Sequence, residues 1–182
     1  MWQIKSATRQ FMRDRGIPRL LQELRGSALE SLFSPDVTLV PVPRSAPLRE
    51  ANARWPGKEI AEELVKAGIA STCHAMLVRV EPVTKSAFAP RGDRPTARRH
   101  FETMRVASSI AVPGRVLLVD DVVTKGSTIL GAATRLAESF PDAEISAFAL
   151  LRTLGLQPEV DKILDPVMGI ISAHGEEVMR EP

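Results

Sequence analysis

Short apolar runs alternate with amphipathic segments along most of the chain. Three runs rich in β-branched residues, at 37–42, 116–123 and 145–151, are each followed by turn or polar residues, which is typical of buried strands. Apolar residues recur three and four positions apart at 57–67 and 127–140, which predicts helices. Strands that alternate with helices predict an α/β fold, an open parallel sheet flanked by helices and joined by right-handed crossovers.

The segments outside this pattern are less regular. Residues 1–33 contain glycine and proline breaks and predict one or two helices that cover the core, and 75–80 predicts a further strand. Residues 82–105 are rich in proline, glycine and arginine without a period, which predicts a flexible loop. The C-terminal extension, 154–182, mixes short apolar pieces with proline and glycine and predicts a hairpin or small helix docked on the core.

Length and composition indicate one globular domain, 1–182. The apolar share of 44% and the charged share of 25% are ordinary for such a domain. No apolar run is long enough for a membrane span, and the first residues lack the apolar centre of a secretory signal, so we expect a cytoplasmic protein. The single cysteine, Cys73, excludes an internal disulfide and a cysteine zinc cluster. A net charge of +2 does not single out nucleic acid as a partner.

Residues 116–128 join a strand, two carboxylates and a loop that opens a helix. A bare pair of aspartates is usually an acidic cap or a solvated turn. Here Asp120 and Asp121 follow a buried strand, and ligands of open α/β sheets bind beyond the carboxyl ends of strands. Their carboxylates could accept hydrogen bonds from vicinal ribose hydroxyls, favour a cationic transition state, and help hold the metal complex of a pyrophosphate ligand.

The loop after the two aspartates predicts a phosphate site. Gly126 permits a close backbone turn around a ligand. Ser127 and Thr128 offer hydroxyls at a helix N-terminus, where free N–H groups attract phosphate. Lys125 adds positive charge or points into solvent, and with Thr124 these residues form the predicted cradle.

The sequence VLLVDDVVTKGST at 116–128 resembles the thirteen-residue signature of type I phosphoribosyltransferases, and neither a P-loop nor a G-x-G-x-x-G fingerprint is present. The resemblance implies an enzyme of nucleotide metabolism that uses Mg²⁺ and moves the 5-phosphoribosyl group of 5-phosphoribosyl 1-pyrophosphate to a nitrogen acceptor, with release of pyrophosphate. Asp120 and Asp121 would then be catalytic, contact the ribose hydroxyls and hold the metal indirectly. Residues 124–128 would bind the 5′-phosphate.

Further pieces resemble the competence-protein-F-like branch of this family. Val40 to Pro43 precede Arg44 and Ser45, where that branch has its pyrophosphate loop, and 54–59 opens a helix as it does there. Residues 147–153 resemble the last strand of that branch. Members of the branch usually carry an N-terminal cysteine zinc element, which one cysteine cannot build.

The stretch 82–105 falls where this family has a flexible loop that closes over the substrate. Lys85 and Arg99 are then candidate catalytic residues that neutralise the departing pyrophosphate, together with Arg94 and Arg98. The alternatives are a solvated basic loop and a nucleic-acid contact of low specificity.

Three functional interpretations follow from these residues. The leading one is the transferase, with an acceptor base chosen by a small hood built from 1–33 or 154–182, and with a possible homodimer implied by the family. The second is a non-catalytic sensor or nucleic-acid-associated, competence-like regulatory protein with the same fold. The third, an unrelated phosphohydrolase, would need more carboxylates or histidines at strand ends. His74, His100 and His174 lack metal-ligand spacing and are expected to be structural or at the surface.

Overall fold

The computed structural model describes residues 12–24, 26–49, 53–84, 94–107, 113–153, 166–175 and 177–181. The helices are α1 (Ile17–Leu24), α2 (Pro56–Lys66), α3 (Ala97–Glu102) and α4 (Ser127–Ser139), with a π-helical turn at Met12–Gly16 and a 3₁₀ turn at Glu30–Leu32. The strands are β1 (Val37–Pro41), β2 (Thr72–Cys73), β3 (Leu77–Arg79), β4 (Met104–Val106), β5 (Arg115–Val123), β6 (Glu144–Arg152), β7 (Ile170–His174) and β8 (Glu177–Glu181).

A parallel sheet of four strands, in the order β2-β1-β5-β6, forms the centre of the fold. Successive residues of a strand face opposite sides, so Leu39 and Leu117 pack with α1 and α2, while Val40 and Leu118 pack with α4. Burial on both faces explains why these strands are continuous apolar runs in the sequence. The prediction of an α/β fold with a parallel sheet flanked by helices is confirmed.

The crossovers on the two sides of the sheet centre run in opposite directions. From β1 the chain passes through α2 to β2, and from β5 it passes through α4 to β6. The strand order therefore reverses between β1 and β5, and such a switch point opens a crevice at the carboxyl ends of the strands. Strand β1 ends at Pro41, opposite Val119, whereas β5 continues to Val123 beside β6. The extra length of β5 projects its last residues beyond β1.

The region predicted as a flexible loop, 82–105, contains regular structure. Helix α3 and strand β4 lie within 97–106, and β4 pairs antiparallel with β3, which confirms a strand within 75–80. The loop prediction is therefore wrong over 97–105, while 85–93 lie outside the described residues. The sequence gives no sign of α3 because the helix has only six residues and its buried position is His100, so no apolar period exists.

Helix α1 covers the face of the sheet that carries α2. Its buried residues Ile17, Leu20 and Leu24 join the core cluster of that face. A covering helix within 1–33 is thus confirmed for the described part of that range, and residues 1–11 lie outside it. No helix in the described ranges is long and apolar enough to cross a membrane.

Strands β7 and β8 near the end of the chain form a hairpin. A hairpin was one of the two structures predicted for this extension, and a small helix was the other. Ile171 of β7 packs against the core cluster on the α4 side. Arg180 of β8 donates hydrogen bonds to the carbonyl oxygens of Val123 at 3.3 Å and Thr153 at 2.8 Å. The hairpin is therefore docked beside the carboxyl ends of β5 and β6, and residues 154–165 lie outside the described part.

Gly131 allows α3 and α4 to pack closely. A Cβ atom at this position would lie 2.6 Å from the Ala97 carbonyl oxygen and 2.7 Å from His100 Cβ. We expect Gly131→Ala to lower the free energy of unfolding by about 1–2 kcal/mol, because overpacking outweighs the gain in helix propensity. Urea unfolding measures this change. The control is Gly114→Ala, whose Cβ would meet nothing within 4 Å. Equal effects of the two substitutions would contradict the close packing.

Candidate functional site

The carboxyl ends of three parallel strands meet at one edge of the sheet. Pro41 of β1 lies beside Val119 of β5, and the next amide, Val42 N–H, donates to the Val119 carbonyl at 2.9 Å. Arg44 and Ser45 therefore leave the sheet at the edge where β5 continues into Asp120 and Asp121. The structure brings the residues predicted for ribose and for pyrophosphate to the same edge, on neighbouring strands.

Asp120 and Asp121 are half-buried and have no cationic partner in the described ranges. One oxygen of Asp120 accepts from the Asp121 amide at 2.9 Å, and one oxygen of Asp121 accepts from the Val122 amide at 3.0 Å. Two adjacent carboxylates without a counter-ion stabilise a fold poorly, and carboxylates with strongly perturbed pKa values cluster at functional sites.

Burial, and secondarily the neighbouring charge of Asp121, raise the pKa of Asp120 to about 8. The usual value for an aspartate is 3.8. The folded protein thus holds this proton more tightly than the unfolded chain does. A bound group that donates hydrogen bonds or carries positive charge would offset the cost of ionising Asp120.

The raised pKa gives the stability of the protein a definite pH dependence. Its favourable contribution is complete below the pKa of the unfolded chain, 3.8, and is lost as pH rises toward about 8. We expect Asp120→Asn to remove this loss, so the variant should gain stability relative to the wild type between about pH 5 and about pH 8. Urea unfolding at both pH values measures the difference. The same substitution at the exposed Asp142 is the control, and a pH-independent difference for Asp120→Asn would contradict the assignment.

The predicted phosphate loop connects β5 to the N-terminus of α4. Gly126 has φ +94° and precedes Ser127, the first residue of the helix. Gly126 at the N-cap position has no side chain that could cap this end, so among the described residues the first N–H groups of the 13-residue helix remain available to an anion. Among the predicted phosphate residues, Gly126 is buried, Lys125 is exposed, and Thr124, Ser127 and Thr128 are half-buried.

The C-terminal hairpin supports this loop from one side. A Cβ atom at Gly126 would lie 2.8 Å from Ile171 Cδ1, so the hairpin leaves room only for glycine. The hydrogen bonds from Arg180 to Val123 and Thr153 fix the hairpin at the end of β5. That this hairpin forms a hood over an acceptor stays a prediction.

A chain of buried polar groups reaches Thr128 from the other side of the loop. Thr128 Oγ1 lies 3.2 Å from His100 Nε2, and His100 Nδ1 lies 3.2 Å from Arg79 Nη2. Arg79 also donates to Thr103 Oγ1 at 2.6 Å and to the Arg44 carbonyl at 2.9 Å. This polar relay, Arg79–His100–Thr128, connects the loop after β1 with the loop after β5.

Burial determines the protonation of the relay. Burial, and secondarily Arg79, lower the pKa of His100 to about 4, so the imidazole is neutral at ordinary pH. Burial, and secondarily Arg99, lower the pKa of Arg79 to about 10, which leaves the guanidinium charged. Neither residue could be assigned to the site from the sequence, because an isolated arginine in a strand and a histidine in a six-residue helix have no recognisable spacing.

The structure describes Arg44, Ser45 and Arg99 among the residues predicted to bind pyrophosphate, but not Lys85. The Ser45 carbonyl accepts from the Val83 amide at 2.7 Å, and Arg44 is anchored through its carbonyl, with both side chains half-buried. Arg99 lies on α3, where it forms an exposed ion pair with Glu81 at 3.0 Å. Arg99 is therefore part of a helix and not of a loop. Lys85 lies outside the described residues.

The donor set at this edge fits a magnesium ion held through a ligand. Among the described residues, no group of three or more His, Cys, Asp or Glu side chains could hold a metal by itself. Asp120 and Asp121 provide carboxylate oxygens, and Mg²⁺ is commonly bound by one or two carboxylates together with substrate phosphates. A phosphorylated ligand would supply the remaining oxygens.

A shallow pocket also exists at the opposite, amino-terminal edge of the sheet. It is lined by Val37, Arg115 and Glu144, the first residues of β1, β5 and β6, and by a few neighbours. Arg115 there is paired with Asp36 at 3.3 Å and with Glu144 at 3.2 Å. Its charges are satisfied, and ligands of open α/β sheets bind at the other edge, so we assign the site to the carboxyl ends.

No protein-family model matches the chain, and no curated protein is significantly similar to it.

Proposed function

We propose that the protein is a Mg²⁺-dependent phosphoribosyltransferase that transfers the 5-phosphoribosyl group of 5-phosphoribosyl 1-pyrophosphate to a nitrogen acceptor. One observation carries the proposal: an acidic pair with no cationic partner among the described residues is followed by a helix whose N-cap is a glycine, at the switch point of a parallel sheet. Asp120 and Asp121 suit a sugar with vicinal hydroxyls, and 124–128 suit a phosphate. The two subsites lie one loop apart, as a sugar phosphate requires.

The acidic pair has a chemical role in this reaction. The acceptor nitrogen forms a bond to C1 of the ribose as the bond from C1 to the pyrophosphate oxygen breaks, and pyrophosphate leaves with the electron pair. Positive charge develops on the ribose, and the carboxylates of Asp120 and Asp121 stabilise it. Hydrogen bonds donated by the ribose hydroxyls offset the repulsion between the two carboxylates, which keeps Asp120 ionised despite its raised pKa.

The leaving group belongs at the end of β1. Arg44 and Ser45 follow that strand, and their backbone is held by Arg79 and Val83. A backbone held in this way would lower the ordering cost of presenting the Arg44 guanidinium to pyrophosphate. Magnesium, when bound, neutralises part of the pyrophosphate charge, and Asp120 and Asp121 would help to hold it.

The test is calorimetric titration of 5-phosphoribosyl 1-pyrophosphate into the protein with and without Mg²⁺, followed by a panel of purine and pyrimidine bases. We expect saturable binding that requires Mg²⁺, and pyrophosphate release only when one of the bases is added. Binding without turnover across the panel would instead indicate a sensor. No binding at millimolar ligand, together with salt-sensitive binding of nucleic acid, would indicate a nucleic-acid-associated protein and contradict the proposal.

A further inference from the structure

The hydrogen-bond directions in the polar relay are fixed by Arg79. A guanidinium has only N–H donors, so the His100 Nδ1 atom, 3.2 Å from Arg79 Nη2, must accept. A neutral imidazole that accepts at Nδ1 carries its proton on Nε2. His100 Nε2 therefore donates to Thr128 Oγ1 across 3.2 Å. Because Arg79 can only donate, it fixes the roles of both ring nitrogens of His100, and these fix the role of the Thr128 oxygen.

This direction determines what the Thr128 hydroxyl can do. Its oxygen accepts from His100, so its own proton is free to be donated to a further acceptor. Thr128 is the second residue of α4, beside the free N–H groups of the helix N-terminus. A hydroxyl oriented as a donor at that place suits an anion with several acceptor oxygens.

The position of His100 is fixed by packing as well as by hydrogen bonds. The ring is 3% exposed, and α3 lies against α4 at Gly131, where no side chain separates the two helices. Arg79 is also buried, and Thr103 Oγ1 and the His100 carbonyl hold the same guanidinium nitrogen at 2.6 and 3.4 Å. Neither ring nitrogen of His100 is directed toward solvent or a carboxylate.

We propose that His100 is a positioning residue that, held by Arg79 as the Nε2–H tautomer, orients the Thr128 hydroxyl as a hydrogen-bond donor to the 5′-phosphate of the ligand. The inference rests on the proposed function, because it assigns the phosphate to the 124–128 loop. It adds a residue from α3 and one from β3 to that subsite. The arginine also holds the Arg44 carbonyl, so the phosphate and pyrophosphate loops share one support.

Two substitutions of His100 separate its two ring nitrogens. In His100→Asn, the side-chain oxygen can replace Nδ1 as acceptor for Arg79, but the donor to Thr128 is lost. In His100→Gln, the amide nitrogen can reach the place of Nε2 and restore that donor. The exposed His74→Asn is the matched control on another part of the fold.

The probes are ribose 5-phosphate and magnesium pyrophosphate, titrated separately. We expect His100→Asn to weaken ribose 5-phosphate binding roughly tenfold, because a Thr128 hydroxyl that is no longer oriented loses much of its hydrogen bond to the charged phosphate. Binding of pyrophosphate should be unchanged, since Arg79 keeps its acceptor, and His100→Gln should restore most of the affinity for ribose 5-phosphate. A general structural effect would weaken both ligands and would not be rescued.

NMR of the ring nitrogens of His100 tests the tautomer without any ligand, and a neutral ring protonated at Nε2 is the expected result. A proton on Nδ1, or equal ribose 5-phosphate binding by His100→Asn and wild type, overturns the inference and leaves the proposed function standing. Failure of the wild type to bind either probe overturns the proposed function, and this inference with it.

Discussion

Replacing Asp120 and Asp121 together by asparagine should abolish binding of 5-phosphoribosyl 1-pyrophosphate and leave the melting temperature unchanged or higher. The loss of two charged acceptors for the ribose hydroxyls should weaken binding by about 100-fold or more. Stability should not suffer, because the carboxylates form no ion pair within the described ranges and burial opposes ionisation of Asp120. Calorimetry and thermal unfolding of the same samples measure both effects.

Loss of binding without loss of stability would distinguish a ligand-binding pair from a structural one. A structural pair would lose stability on substitution, whereas a ligand-binding pair loses affinity alone. The matched control is Asp142→Asn, an exposed aspartate in the turn before β6, which should change neither quantity. Full binding by the double variant would exclude the two aspartates from the ribose subsite.

The largest loss of stability should come from Arg79→Met. The substitution preserves apolar volume but leaves the Arg44 carbonyl, Thr103 Oγ1 and His100 Nδ1 without their donor. Buried acceptors that lose their partner are costly, so we expect the free energy of unfolding to fall by about 3 kcal/mol and the melting temperature by roughly 6–12 °C. Urea and thermal unfolding measure the two quantities.

Arg105→Met is the control for this experiment, because Arg105 lies on the neighbouring strand β4 and is exposed. Its substitution should cost less than about 1 kcal/mol. Arg79→Lys should fall between the two, since one ammonium cannot replace a guanidinium that donates in three directions. If Arg79→Met were as stable as Arg105→Met, the relay would not support the loops.

Three strands of the central sheet could be predicted because they are apolar runs bounded by turn or polar residues, whereas the two-residue β2 was not predicted. Residues 116–119 form an unbroken apolar run that is followed by two aspartates, and 127–140 have the apolar spacing of a helix. Each of these segments has a sequence pattern that predicts its structure without reference to the rest of the chain. The strand, the acidic pair and the loop are also consecutive in the sequence. The acidic pair could be recognised as a candidate site because it directly follows a strand that the sequence predicts.

The polar relay could not be predicted because its hydrogen bonds join residues that are far apart in the sequence. Arg79, His100 and Thr128 lie on three separate elements and meet only when α3 packs against α4. Helix α3 itself shows no period, since its buried side chain is an imidazole. The assignment of Arg99 to a loop failed for the same reason, because a charge-rich segment of six residues looks the same in a loop and in a short helix.

The contact between Arg180 and the Val123 carbonyl joins positions 57 residues apart. The hairpin that carries Arg180 is held to the sheet by two hydrogen bonds and by Ile171 at the margin of the core, so its docking is less stable than the central sheet and can open separately. The sheet and its helices should therefore gain their circular dichroism signal before the loop at Gly126 acquires its support from Ile171. During refolding, the recovery of ligand affinity should lag behind the recovery of secondary structure.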